Sequence, residues 1–211
     1  MRVGIFATEE QKREITSSKF TNSETDLVFI TNISEVTVYA GFDVIFLLND
    51  AIPISTHKNI PGKHIVVNSV VDTLESAHLP SNFSRINGWH GFLSRPVWEI
   101  ASNNKPEIEI IFKSLGWEIS FVKDEPGLVA ARVLSMVINE AHFALGENVS
   151  TINEIDLAMK SGTNYPLGPF EWENIIGTKN IYLLLKKLSE TNRRYLVAPS
   201  LEENFKKLTL F

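Results

Sequence analysis

The stretch SNFSRINGWHGFLSRPVWEIA, residues 81–101, holds the side chains best suited to acid–base chemistry in this chain of 211 residues. His90 carries an imidazole that titrates near neutrality, which is what a general base needs. Glu99 follows on the same stretch and could orient such a base. Asn87 offers hydrogen bonds but no titrating group. Arg85 and Arg95 flank these residues with charge that suits a phosphate, although on a loop rim the same two guanidinium groups would simply be solvated. The bland reading of His90, between Trp89 and Gly91, is a packed and hydrogen-bonded ring. His57, His64, His78 and His142 are scattered, and no pair stands at metal-ligand spacing beside a carboxylate on one helix face, so no metal site is expected. The chain has no cysteine, which excludes disulfides, cysteine-based metal sites and a thiol nucleophile.

The elements that must position these residues can be read from apolar patterning. RVGIF (2–6), DLVFIT (26–31), FDVIFLL (42–48) and HIVVNSV (64–70) are short continuous apolar runs, the pattern of strands buried on both faces of a mostly parallel sheet. TEEQKREITSS (8–18) is the best early helix. VWEIAS (97–102) reads as a strand and PEIEIIFKSLG (106–116) as a helix with Pro near its start and Gly at its end. WEISFVK (117–123) returns as a strand.

From Pro126 the character changes. PGLVAARVLSMVINEAHFAL keeps Val129, Val133, Val137 and Ala141 at helical spacing. STINEIDLAMKSG opens with Ser150 or Thr151 as the N-cap and stops at Gly162. NIYLLLKKLSE and SLEENFKKL read as two further helices. Before them, after STINEIDLAMKSG, lies NYPLGPFEW (164–172), a rigid turn in which Pro169 suits the first turn of a helix. The expected fold is α/β: a shortened Rossmann-like parallel sheet over residues 1–123, followed by an all-helical unit over residues 124–211.

Composition narrows the partners. The chain is 44% hydrophobic and 21% charged, an ordinary globular mix. Its net charge is −5 and it lacks a basic stripe with interleaved aromatics, so nucleic acid is not an expected partner. VIFLL and YLLL fall far short of a membrane span. MRVGIF has neither a cationic leader nor a long apolar core, so cytoplasm is the expected location and the N-x-S triplets at Asn32, Asn82 and Asn148 carry no meaning there.

The second half has a family likeness. VKDEPGLVAARVLSMVINEAHFAL, then INEIDLAMKSGTNYPLGPFEW, then IIG, resembles the C-terminal helical domain of 3-hydroxyacyl-CoA dehydrogenases. The shared elements are the KD-x-PG entry, the EA of the long helix, the ID-x-AM helix and the YP-x-GPFE loop, in order over roughly residues 120–200. The resemblance implies a homodimer through the helices, an acyl-CoA ligand and an NAD-dependent oxidoreductase of acyl-CoA metabolism in which a His–Glu pair removes the 3-hydroxyl proton. Arg85 and Arg95 would then be candidates for the CoA phosphates.

The first half departs from that family. A dinucleotide fold needs glycines after its first strand, so that pyrophosphate reaches the backbone at a helix N-terminus. Here the strand runs into FATEEQ, with Glu9 and Glu10 where phosphate would come, and Asn32 follows the second strand in place of an acidic residue. The NAD implied by the family therefore has no recognisable binding residues. An ungapped match to the family's HFFNP motif keeps Glu99 as the Glu but puts Asn87 at the His, while His90 falls on the motif's Asn. Pairing His90 with Glu99 needs a three-residue deletion. The family's helix Asn meets Ala131, and its Ser meets Val70, with Ser69 one residue early. Two functions follow as expectations: a family oxidoreductase, or a relative that binds an acyl-CoA or a partner and has lost dinucleotide binding.

Overall fold

A computed structural model describes residues 1–18, 24–32, 41–49, 60 and 62–210. His57 lies outside them. The chain forms two compact units, Met1–Leu128 and Val129–Phe211. The division falls five residues beyond the 123/124 boundary expected from sequence. The reason is chemical: Asp124 and Glu125 are tied to Arg85 inside the first unit.

In the first unit, β1 (Arg2–Phe6), β2 (Asp26–Ile30), β3 (Val44–Leu47), β4 (His64–Asn68), β5 (Phe83–Ile86), β6 (Val97–Ser102) and β7 (Glu118–Phe121) form one sheet. Their order is β2-β1-β3-β4-β5-β6-β7. The strands from β2 to β5 pair in parallel, β6 runs antiparallel to β5, and β7 is parallel to β6. All four residues of β3 are buried, as a continuous apolar run in a central parallel strand requires. Helix α1 (Glu9–Ser18) follows β1, anchored by Gln11 and Ile15 one turn apart. Helix α2 (Lys105–Leu115) ends at Gly116, whose φ of 72° closes the last turn. Phe46, Trp98, Phe112 and Trp117 fill the core with ring centroids 5.1–6.2 Å apart.

β5 is the strand that apolar patterning does not reveal, because FSRI carries Ser84 and Arg85 at its centre. Both are buried. Ser84 donates to Ser102 Oγ over 2.8 Å.

The helical unit comprises α3 (Ala130–Gly146), α4 (Ile152–Thr163), α5 (Pro169–Ile176), α6 (Thr178–Ser189) and α7 (Pro199–Thr209). Gly127 and Leu128 both take positive φ, so the PG segment is a turn and α3 starts after it. Of the stripe at helical spacing, Val129 and Val133 are 52% and 55% exposed, Val137 is half-buried and Ala141 is buried. The buried residues of α3 are Ala131, Ser135, Ile138, Asn139, Ala141 and His142, a face of mostly small and polar side chains. Asn139 holds the entry to α7 by donating to Leu196 O and accepting from Ala198 N–H.

The turn before α5 explains NYPLGPFEW. Asp156 of α4 is buried, and its Oδ1 accepts the Phe170 N–H over 2.9 Å, capping α5 from a neighbouring helix. Glu171 reaches back to the Gly168 N–H over 2.8 Å. A Cβ on Gly168 would lie 2.3 Å from Asp156 Oδ1, so the glycine is there for the approach of that carboxylate. Thr151 caps α4 through a reciprocal box with Glu154, whose carboxyl these hydrogen bonds bring down to about 2.

Candidate functional site

In a sheet of this topology the strand order reverses at β1, between β2 and β3, and ligands bind outside the carboxyl ends of the strands at such a point. The residues gathered there hold one another. Thr8 caps α1: its N–H donates to Gln11 Oε1 over 3.0 Å, and the Gln11 N–H donates to Thr8 Oγ1 over 3.2 Å. This is a capping box of the T-x-x-Q form. Gln11 is 3% exposed and its Nε2 donates onward to Leu48 O and Gly88 O, both at 2.9 Å. Asn68, at the end of β4, donates to the same Leu48 O over 3.1 Å and accepts the Gly88 N–H over 2.9 Å. A Cβ on Gly88 would lie 2.8 Å from Asn68 Cγ. Gln11 and Asn68 thus stitch the ends of β3, β4 and β5 to the first turn of α1.

One turn further along α1, Glu14 accepts the N–H groups of Gly91 and Leu93 over 2.9 and 3.1 Å. His90 Nδ1 stands 3.6 Å from the same carboxylate. The segment carrying His90 is therefore pinned to α1, and the carboxylate beside the His90 ring is that of Glu14, where the tempting sequence match paired it with Glu99.

Glu99 lies on β6, half-buried, and its charge acts on Arg95. Burial lowers the Arg95 guanidinium pKa, which the Glu99 charge opposes, and Arg95 Cζ sits 4.3 Å over the Phe92 ring. Asn87 closes a turn by accepting the Trp89 N–H over 3.2 Å. Its Nδ2 is a buried donor without an acceptor among the described residues.

Arg85 corrects the expectation of a loop-rim phosphate contact. It lies inside β5 with no exposure. Its Nε donates to Asp124, Nη1 to Ser69 O over 2.8 Å and Nη2 to Glu125 O over 2.6 Å. Burial lowers its pKa, and Asp124, Asp72 and Glu125 oppose that shift. Asp124 also accepts the N–H groups of Leu74 and Glu75. The Asp of KD-x-PG is thus the charge partner of a buried strand arginine. Ser69 is equally engaged, donating to Asp72 O over 2.7 Å. Ser69 and Arg85 are brought together as scaffold. Gln11, Glu14, Asn68 and Asp124 were not singled out from the sequence, although T-x-x-Q at 8–11 is a readable helix-start signal.

The arrangement does not fit a pyrophosphate. The turn from Ala7 to Lys12 has no glycine, its Thr8 amide is occupied by Gln11, and Glu9 and Glu10 project from the first turn. Residues 1–128 carry eleven Lys and Arg against sixteen Asp and Glu, while residues 129–211 carry nine of each, so the whole excess of negative charge lies in the first unit. Among the described residues no cluster of three His, Asp or Glu is placed to hold a metal ion, and no helix is long and apolar enough to cross a membrane.

A twisted, mostly parallel sheet followed by this helical unit is the architecture of hydroxyacyl-CoA dehydrogenases. An (S)-3-hydroxybutyryl-CoA dehydrogenase from Ralstonia eutropha superposes with a TM-score of 0.71 over 96% of this chain and 92% of its own, at 20% identity. FadB2 of M. tuberculosis superposes with a TM-score of 0.74 over 98% and 93%, at 14% identity. Residues 127–209 match the family described as 3-hydroxyacyl-CoA dehydrogenase, C-terminal domain, and the helical unit is a domain of that type. The 3-hydroxyadipyl-CoA dehydrogenase of Escherichia coli is 42% identical over 67 residues, 32% of this chain and 14% of that protein. The 3-hydroxybutyryl-CoA dehydrogenase of Bradyrhizobium diazoefficiens is 36% identical over 76 residues, 36% of this chain and 26% of that protein. The chain thus spans well under half the length of these two relatives in sequence.

Proposed function

We propose that this chain is a 3-hydroxyacyl-CoA dehydrogenase-like protein of acyl-CoA metabolism that binds an acyl-CoA, and does not itself carry out NAD-dependent hydride transfer. The observation that carries this reading is the closed first turn of α1, where Gln11 takes the amide a phosphate would need. Loss of the base agrees with it. Asn87 stands where the family's His would be, and an amide cannot accept a proton near neutral pH. The acyl-CoA remains as ligand because the helical unit keeps the family's fold and sequence, and the named relatives act on acyl-CoA substrates.

The helical unit also supplies the surface for a second copy of the chain. Val133 on α3 is 55% exposed, Val129 at its N-cap 52% and Leu157 on α4 62%. These open apolar side chains are the ones a second copy would cover.

The binding claim is tested by calorimetric titration of the protein with acetoacetyl-CoA in the absence of any nucleotide. Saturable heat is expected. No heat at ligand concentrations up to the millimolar range would remove acyl-CoA from the proposal and leave the dimeric surface alone.

A further inference from the structure

The helical unit contains a buried polar cluster of its own. His142 of α3 has no exposure, and its Nε2 is 2.7 Å from Glu173 Oε2 of α5. Its Nδ1 is 3.1 Å from Ser200 Oγ at the start of α7. Ser200 in turn donates to the main-chain O of His142 over 2.7 Å. Thr178 of α6 donates to the second Glu173 oxygen over 2.7 Å, and the Phe170 ring packs edge-on against the imidazole at 5.0 Å. Three helices therefore meet α3 around one titratable pair. Burial pushes the Glu173 carboxyl up, and the hydrogen bonds and charge of His142, with the Thr178 hydroxyl, outweigh it, so its pKa lies below the usual range.

Ser, His and Glu in this order form the nucleophile, base and orienting acid of acyl-transfer enzymes. Here the Ser200 hydrogen is directed to a main-chain carbonyl and the imidazole is sealed from solvent, so the array cannot meet a substrate. Its hydrogen positions describe a different device. A serine hydroxyl carries a single hydrogen. When that hydrogen goes to His142 O, Nδ1–H must donate to Ser200 Oγ, and Nε2 and Glu173 hold a second proton between them. When the cluster loses one proton, Nε2–H remains against the carboxylate and Nδ1 becomes an acceptor. Nδ1 then takes the Ser200 hydrogen away from His142 O.

We infer that His142 and Glu173 form a proton-operated latch that fastens the start of α7 to the C-terminal part of α3. The groups facing it are Glu173 and Phe170 from α5, Thr178 from α6 by way of Glu173, and Ser200 from α7. Protonation closes the latch. Loss of the proton removes one buried hydrogen bond between α3 and α7.

The test uses the full chain with nitrogen-labelled histidine, followed by NMR between about pH 5 and pH 9, the range in which imidazoles ordinarily titrate. Both ring nitrogens of His142 are expected to be protonated at the acid end, and the neutral ring at the alkaline end is expected to be the Nε2–H tautomer. In parallel, Ser200→Ala is expected to melt about 2–4 °C below the wild type at the acid end, the shift that one net hydrogen bond makes in a chain of this size. That gap is expected to narrow as pH rises without vanishing, because Ser200 keeps its bond to Nδ1. An Nδ1–H tautomer at the alkaline end, or a Ser200→Ala gap that does not change with pH, overturns the latch.

Discussion

Gly168→Ala is the most informative single change in the helical unit. Gly168 has φ of −75° and ψ of 167°, extended backbone that alanine adopts without strain. The cost must therefore come from the methyl group itself. A Cβ there would lie 2.3 Å from Asp156 Oδ1 and 2.4 Å from both Cβ and Cγ of Asp156, so the carboxylate must leave its place. It cannot leave without releasing the Phe170 N–H, a buried donor at the first turn of α5. Losing a hydrogen bond to a charged group costs about 1.5–3 kcal/mol, and forcing a methyl into a packed site costs about 1–3 kcal/mol. Together these give a loss of about 2.5–6 kcal/mol. Urea denaturation followed by tryptophan fluorescence reads it directly, since Trp172 lies in α5. Repeating the substitution in an Asp156→Ala background separates the two causes. With the carboxylate gone the methyl has room, and the glycine-to-alanine step is expected to cost less than about 1 kcal/mol or to stabilise slightly by restricting the unfolded chain. Equal costs in the two backgrounds would refute the argument that Gly168 is required by Asp156.

Arg85→Met is expected to destabilise the first unit by about 3–5 kcal/mol in chemical denaturation, because it leaves Asp124 partly buried without its guanidinium. A loss below about 1 kcal/mol would mean that Arg85 is not the staple described. Glu173 has a folded pKa below that of the unfolded chain, so the unfolded state takes up the proton first and stability falls as pH drops below about 4.3. Glu173→Gln should flatten that acid limb in thermal melts, and an unchanged limb would assign it to other carboxylates. Asn87→His restores an imidazole to the stretch, yet NADH oxidation with acetoacetyl-CoA is expected to stay at background because the first turn of α1 remains closed. Turnover by this variant would show that the base alone was missing. Light scattering is expected to give about twice the 23.8 kDa chain mass, and Val133→Lys to reduce it to the monomer. A wild-type monomer would remove the proposed surface.

The four apolar runs of the first half became β1 to β4 because strands buried on both faces need little but apolar side chains. β5 was hidden by Arg85, a residue type almost never fully buried unless paired, and its partner Asp124 is far along the chain. Helix α3 shows the complementary failure. Its valines obey helical spacing, but the face that packs inward carries Asn139 and His142, whose polar groups are held by partners in α5, α7 and the segment before α7. Periodicity identifies a helix and its possible faces, and only tertiary partners decide which face turns inward.

The candidate site was legible as a loss and not as a replacement. The missing glycines and the glutamates Glu9 and Glu10 were visible in the sequence. The amide clasp of Gln11 and Asn68 was not, because it joins residues from three separate strand ends. His90 and Glu99 looked like a dyad because they lie on one short stretch, but the carboxylate that reaches His90 comes from Glu14 on α1.

The most direct test of the closed turn is calorimetric titration of the wild-type chain with NADH. With Gln11 on the Thr8 amide and two glutamates on the first turn, no saturable heat is expected up to about 1 mM, which corresponds to binding weaker than roughly 4 kcal/mol. Stoichiometric binding in the micromolar range would contradict it and place this chain among the active dehydrogenases.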